Sequence, residues 1–144
     1  MARHAVGSAQ RTWRAGERLG ALKAFLALQA ALTGATAATL LAAPGVIPAQ
    51  FGIALPPGGY PVLYLLASAE LTFALLSAWA LSMGTAQSVL FVAGASALYQ
   101  GLFGLAGLFA VLKGGAWGVM PNVLAHVAIA LIFSPLIVRA RRAG

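Results

Sequence analysis

The stretch that decides the fold is LASAELTFALLSAWAL, residues 66–81. Twelve of its sixteen residues are apolar, three carry small hydroxyl groups, and one is Glu70. Such a run is typical of a membrane-crossing helix, because a helix satisfies its own backbone polar groups where no water is available. The chain has only two acidic residues, so the position of Glu70 inside this stretch needs a physical reason.

The composition of the whole chain indicates an integral membrane protein. Of its 144 residues, 61% are hydrophobic and 8% are charged, whereas about a quarter of the residues in a soluble domain are charged. The apolar residues fall in blocks long enough to cross a hydrocarbon layer of ~30 Å as helices. The blocks are continuous and do not alternate as the strands of a membrane barrel do. We therefore predict an all-α, integral membrane four-helix bundle.

The boundaries of the four predicted spans follow from prolines, glycines and charges. We expect a basic N-terminal segment over 1–23, a four-helix transmembrane domain over 24–138 and a basic tail over 139–144. Within the domain, the spans are predicted at 24–43, 61–83, 88–112 and 121–138. The first apolar run exceeds the 7–15 residues of a signal-peptide core, so we expect it to be retained as a span.

The charge distribution predicts the orientation. Eight of the nine basic residues lie before the first span or after the last, and only Lys113 lies between them. The positive-inside rule then places both termini in the cytoplasm, and we expect a multi-pass protein of a bacterial inner membrane. Aromatic belts are predicted at Trp13 and Trp79 on that side and at Tyr60 and Trp117 on the other.

The same distribution and the absence of cysteine exclude several classes of function. No basic patch is interleaved with aromatic residues, so the expected partner is the lipid bilayer and not a nucleic acid. Without cysteine, this chain forms no disulfide, thiol redox centre or thiolate metal site. Glu70 and His126 are too few for a zinc site. We predict no metal site, and the sequence identifies no cofactor.

Small residues predict how the helices pack. In a membrane, helices associate where small side chains let the backbones approach closely. The third span carries Gly94, Ala97, Gly101 and Gly104 at helical spacing, and the first span carries Gly34 and Ala38. We expect these residues to pack the bundle. A groove for a lipid or a partner helix is the alternative.

Polar residues from all four spans are predicted at similar depths. At ~1.5 Å per residue, Glu70 and Thr36 lie roughly 12 Å from the end of their span opposite the termini, Gln100 lies about 18 Å from that end, and His126 lies about one turn nearer to it than Glu70. A charged residue near the middle of the bilayer costs at least ~2.5–3.5 kcal/mol unless it is paired or faces the interior. We therefore expect a shared interior site of Glu70, His126, Gln100, Thr36, Tyr99 and Asn122.

This site has two interpretations that the sequence leaves open. In the first, a neutral Glu70 is hydrogen-bonded to Gln100 and fixes the register of the helices, as polar side chains do in other bundles. In the second, the residues form a functional pocket or a proton-handling site, since ionisable residues within membranes are functional by default. A contact with another subunit is a third possibility.

The layout resembles the DoxX-like family of small four-helix membrane proteins. The resemblance covers about residues 20–140 and rests on the basic N-terminus, the loop sequence PAQFGI at 48–53, and Pro121, Asn122 and His126 at the start of the fourth span. It implies a four-helix membrane fold and a role beside redox enzymes such as thiosulfate:quinone oxidoreductases. Cysteine-based roles do not carry over, because this chain has none.

Three functions remain as hypotheses. The first is a noncatalytic protein that binds a lipophilic small molecule (a quinone or a lipid) or joins a larger membrane complex. The second is a membrane enzyme in which Glu70 and His126 transfer protons on a lipid-like substrate. The third is a small proton-coupled transporter, although the chain lacks the paired broken helices of many transporters. Whether the protein is catalytic stays open.

Overall fold

The computed structural model describes the backbone of residues 2–115 and 117–142, and their side chains from Leu19 onward. It contains five α-helices and two short 3-10 turns, at Pro57–Gly59 and Trp117–Val119. The helices are α1 (Ala2–Ala42), α2 (Val46–Gln50), α3 (Tyr60–Met83), α4 (Ala86–Leu112) and α5 (Met120–Arg141). No strand is present in these ranges, so the prediction of an all-α bundle is confirmed.

Four of these helical segments are long and apolar enough to cross a membrane, which gives the chain the architecture of a multi-pass membrane protein. They are Leu19–Ala42, Pro57–Met83, Ala86–Leu112 and Trp117–Arg141. Large apolar side chains cover the outside of the bundle, including Leu65, Phe91 and Leu102. Such a surface is suited to contact with lipid. Below, "terminal side" denotes the end of the bundle that carries both chain termini, and "loop side" denotes the opposite end.

The first helix continues without a break through the predicted boundary at residue 23. At ~1.5 Å per residue, the 41 residues of α1 extend for about 60 Å, twice the thickness of the hydrocarbon core. The basic segment is therefore helical and collinear with the first span. The predicted interfacial position of Trp13 lies outside the residues whose side chains are described.

The helices pack mainly as two pairs, α1 with α3 and α4 with α5. The short turn between α3 and α4 makes these helices neighbours, but they touch each other less extensively than either touches its main partner. Gly34 illustrates the first pair, since a Cβ atom there would lie 3.6 Å from Cβ of Ala74. The bundle thus has two closely packed halves and a looser junction.

Close backbone approach between α4 and α5 depends on two glycines. A Cβ at Gly104 would lie 2.8 Å from Cγ2 of Val127, and a Cβ at Gly107 would lie 2.6 Å from Cγ2 of Val123. Both distances are shorter than real Cβ contacts, so an alanine at either position would force the valine side chain or the helix to shift. The expectation for Gly94 is wrong, because a Cβ there would meet nothing within 4 Å.

The turn on the terminal side is fixed by local capping. Gly84 ends α3 with φ of 66°, a left-handed conformation that glycine adopts without strain. Thr85 caps α4, its hydroxyl accepting a hydrogen bond from the backbone N–H of Ser88. Lys23 donates to the carbonyl oxygen of Gly84 at 3.2 Å, so α1 is tied to the same turn.

Buried polar residues lie between two apolar clusters. The terminal-side cluster draws on α1, α3, α4 and α5, with Leu22, Leu26 and Phe133 fully buried in it. The loop-side cluster is built around Leu40, Leu63 and Ala67. Among the described residues, the buried polar side chains come from the segments between these clusters: Gln29, Thr33, Glu70, Ser77, Ser96 and Gln100.

The loop after α1 folds over the end of the bundle. Its helix α2 buries Pro48, and Ile47 and Leu55 pack against the loop-side cluster. It also touches the second connection, since a Cβ at Gly118 would collide with the carbonyl group of Phe51. The two loop-side connections therefore form one cap over the bundle.

Candidate functional site

Glu70 faces the interior of the bundle. Its side chain is only 4% exposed, although neighbouring Leu71 and Leu75 on the same helix are exposed to the surroundings. The hydroxyl of Tyr99 on α4 donates a 2.8 Å hydrogen bond to Oε1 of Glu70. The carboxyl group is therefore buried and is hydrogen-bonded across the junction between the two halves of the bundle. Because it faces the interior and has a partner, an acidic residue can be accommodated in this apolar stretch.

A second polar pair lies beside the first and joins α4 to α5. Nδ1 of His126 is hydrogen-bonded to Oε1 of Gln100, and Gln100 is almost completely buried. An amide oxygen only accepts hydrogen bonds, so the imidazole donates from Nδ1. In the neutral ring, Nε2 then carries a lone pair that can accept a hydrogen bond.

The pairing of these side chains differs from the expected one. One of the two interpretations of the sequence paired Gln100 with the carboxyl group, but its oxygen bonds His126, and Tyr99 takes its place at Glu70. Residues 99 and 100 project on different sides of one helix, because successive residues are ~100° apart. Tyr99 consequently faces α3 while Gln100 faces α5. The depth of a residue along its helix does not predict which neighbouring helix it faces.

Aromatic rings connect the two pairs. Phe73 stacks on Tyr99 with ring centroids 4.3 Å apart, and Tyr99 lies 5.9 Å from Phe103. Phe103 in turn lies 4.4 Å from the imidazole of His126. Four rings thus form a continuous row through the junction, and they fix the orientation of both the phenol and the imidazole.

An apolar pocket of about 290 Å³ lies on the loop side of this row. We call it the loop-side pocket. Phe103 belongs to both structures, lining the pocket while it packs on His126. The cap supplies one wall and the helices α1, α3, α4 and α5 supply the others, with lining side chains that include Leu40, Phe51, Leu55, Leu66, Phe103 and Val123.

Asn122 provides a polar group in the lining of this pocket. It lies one helical turn before His126 on α5, so the two residues share a face as predicted. Thr36 is half-buried on α1. Among the described side chains, neither Thr36 nor Asn122 is hydrogen-bonded to Glu70, Tyr99, Gln100 or His126, so the structure brings four of the six predicted residues together.

Sequence reasoning missed the residues that build the pocket. Phe103 was not singled out, because an aromatic residue in an apolar helix carries no signal of its own. The loop between the first two spans is uncharged and carries Phe51, Ile53 and Leu55. Apolar side chains in an uncharged loop indicate a surface that packs against something, and here that loop forms a wall of the pocket.

The arrangement suits binding and proton exchange better than metal chemistry. In residues 19–115 and 117–142, no three histidine or acidic side chains come together. The polar atoms present are a carboxyl group, a phenol, an amide and an imidazole, each held by a neighbouring helix or ring. Such groups hold or transfer protons and can hydrogen-bond a ligand.

Comparisons with known proteins add no relative to this picture. No family model, no curated protein and no solved structure matches this chain.

Proposed function

We propose that this protein binds a small lipophilic molecule, a quinone or a lipid, in the loop-side pocket. The single observation that carries the proposal is the pocket itself, whose volume of about 290 Å³ is lined by apolar side chains with Asn122 among them. Sites for small molecules are typically concave, mostly apolar and equipped with a few polar groups that fix orientation.

The chemistry of the lining defines the ligand class. Apolar walls from Leu40, Leu66 and Val123 favour a hydrocarbon or ring system, and Phe51 and Phe103 offer aromatic faces. The amide of Asn122 can donate to a carbonyl oxygen or accept from a hydroxyl group. A ring with oxygen substituents and the carbonyl region of a lipid both meet these requirements.

A role as an accessory subunit of a membrane redox complex belongs to the same proposal. It is supported by the resemblance to DoxX-like proteins, carried by Pro121, Asn122 and His126 at the start of α5 and by the four long helices. Placement in a bacterial inner membrane with cytoplasmic termini is also a proposal, supported by the basic residues that flank the first and last spans.

The test is binding of a short-chain benzoquinone, and of a bilayer phospholipid, to the protein purified in detergent. Ala110 lines the pocket, and Ala110→Trp should fill it and abolish binding of whichever probe the wild-type protein retains. Ala128→Trp on the exposed side of α5 is the matched control and should bind as the wild type does. Equal binding by both variants would place the ligand elsewhere and overturn the proposal.

The polar contact is tested separately. Asn122→Leu keeps the number and branching of the heavy atoms of the side chain and removes its hydrogen-bonding groups. We expect weaker binding by roughly 2–10-fold, since a net hydrogen bond contributes about 0.5–1.5 kcal/mol. Unchanged affinity would show that the ligand is held by the apolar walls alone.

A further inference from the structure

Three buried polar side chains below Glu70 have no partner among the described residues. They are Ser77 on α3 and Ser96 on α4, which are both fully buried, and Gln29 on α1, which is 4% exposed. Neither serine hydroxyl is hydrogen-bonded, and neither are the amide nitrogen and oxygen of Gln29. Buried polar groups in folded proteins are nearly always hydrogen-bonded, because leaving one unpaired is unfavourable.

The two serines differ from four other hydroxyl residues of the helices. Thr39, Ser68, Thr72 and Ser134 each donate to a carbonyl oxygen one turn earlier in their own helix. That local bond is the usual solution for a hydroxyl group in a membrane helix. Ser77 and Ser96 do not make it, so their hydroxyl groups are directed at the interior.

The three side chains descend from Glu70 toward the terminal side. Ser96 precedes Gln100 by one turn, ~6 Å along α4, and Ser77 follows Glu70 by two turns, ~10 Å along α3. Gly34 packs on Ala74, which places Gln29 roughly 13 Å below Glu70 by the same rise per residue. The series ends above the fully buried Leu22, Leu26 and Phe133.

We propose that Ser96, Ser77 and Gln29 bind internal water molecules beneath Glu70. Two hydroxyl groups and one primary amide provide both donors and acceptors, which is the environment that a buried water molecule requires. Water is the ligand that fits, because these side chains lie inside the bundle and are closed off by apolar residues on the terminal side. The hydrated series extends the polar surroundings of Glu70 toward that side.

The proposal does not depend on the function proposed above, because the water site lies on the opposite side of Glu70 from the loop-side pocket. Its consequence is a hydrogen-bonding environment on the terminal side of Glu70, where the apolar side chains of the bundle would otherwise be the only neighbours.

The test is solid-state NMR of the labelled full chain in lipid bilayers, measuring the transfer of polarisation from water protons to side chains. We expect transfer to the Gln29 amide and to Cβ of Ser77 and Ser96 to be several-fold faster than to Leu26 and Ala80. Both comparison residues are apolar and fully buried. Transfer as slow as at Leu26 and Ala80 would overturn the proposal.

A variant identifies what holds the water. The double change Ser77→Ala with Ser96→Ala should reduce the transfer to the Gln29 amide several-fold. Ser134→Ala is the matched control, because its hydroxyl is satisfied within its own helix, and it should leave that transfer unchanged. Wild-type transfer to Gln29 in the double variant would contradict the proposed site. Benzoquinone binding, measured on the same samples, reports separately on the loop-side pocket.

Discussion

The hydroxyl of Tyr99 donates to the carboxyl group of Glu70 at 2.8 Å and thereby joins α4 to α3. The bond crosses the looser junction of the bundle, where the two helices touch less than either touches its main partner. It therefore satisfies a buried acid and links the two halves at the same time.

Removal of this bond should destabilise the bundle. Tyr99→Phe keeps the ring that stacks between Phe73 and Phe103 but leaves Oε1 of Glu70 without its donor. We expect a loss of about 1–3 kcal/mol in the free energy of unfolding, measured in mixed micelles, because a buried acceptor becomes unpaired.

Tyr64→Phe is the control for this change, since Tyr64 is 41% exposed. It should leave the free energy of unfolding unchanged. A double-mutant cycle of Tyr99→Phe with Glu70→Met, which has no oxygen to accept the bond, gives the coupling between the two side chains. A coupling energy of zero would show that the bond contributes nothing.

The glycines of α4 should differ sharply in their tolerance of alanine. Gly104→Ala and Gly107→Ala place a methyl group against Val127 and Val123, and each should lower the free energy of unfolding by about 1–3 kcal/mol. Gly94→Ala meets nothing within 4 Å and should be neutral or stabilising by about 0.5–1 kcal/mol, as expected for glycine in a helix. Equal effects at all three positions would contradict the packing of α4 on α5.

The amide of Gln100 should set the tautomer of His126. In the wild type, the neutral imidazole carries its proton on Nδ1, because the oxygen of Gln100 accepts from that atom. In Gln100→Leu the acceptor is gone, and we expect the fraction of the Nε2-protonated form to rise. Nitrogen chemical shifts of the labelled histidine, read at a pH where it is neutral, distinguish the two forms. An unchanged tautomer would show that another group fixes the ring.

The orientation is testable because the chain contains no cysteine. Gln87 lies in the first turn of α4 on the terminal side, and Lys113 follows its last residue on the loop side, and both are exposed. In intact cells, an impermeant maleimide should label Lys113→Cys and should label Gln87→Cys only after the membrane is opened. The reverse pattern would place the termini outside.

The fold was more predictable than the site. Apolar runs report helices directly, so the four spans were found within a few residues, and Glu70 was correctly expected to be buried. Hydrogen-bond partners depend on which side of α4 each residue faces, and this angle follows from packing on both α3 and α5. Tyr99 was expected in the shared site, but its bond to Glu70 was not predicted. Hydropathy likewise does not predict the pocket, because its walls come from two loops and four helices that are brought together only in the folded structure.

The unbroken course of α1 has a structural consequence. One continuous helix carries Leu40 in the wall of the pocket, Gln29 among the unpartnered polar groups and Lys23 at the terminal-side turn. No proline, the usual cause of a sharp kink, interrupts α1 between Lys23 and Leu40. A molecule in the loop-side pocket therefore contacts the same unbroken helix that holds a polar side chain in mid-bundle and a cation at the opposite end.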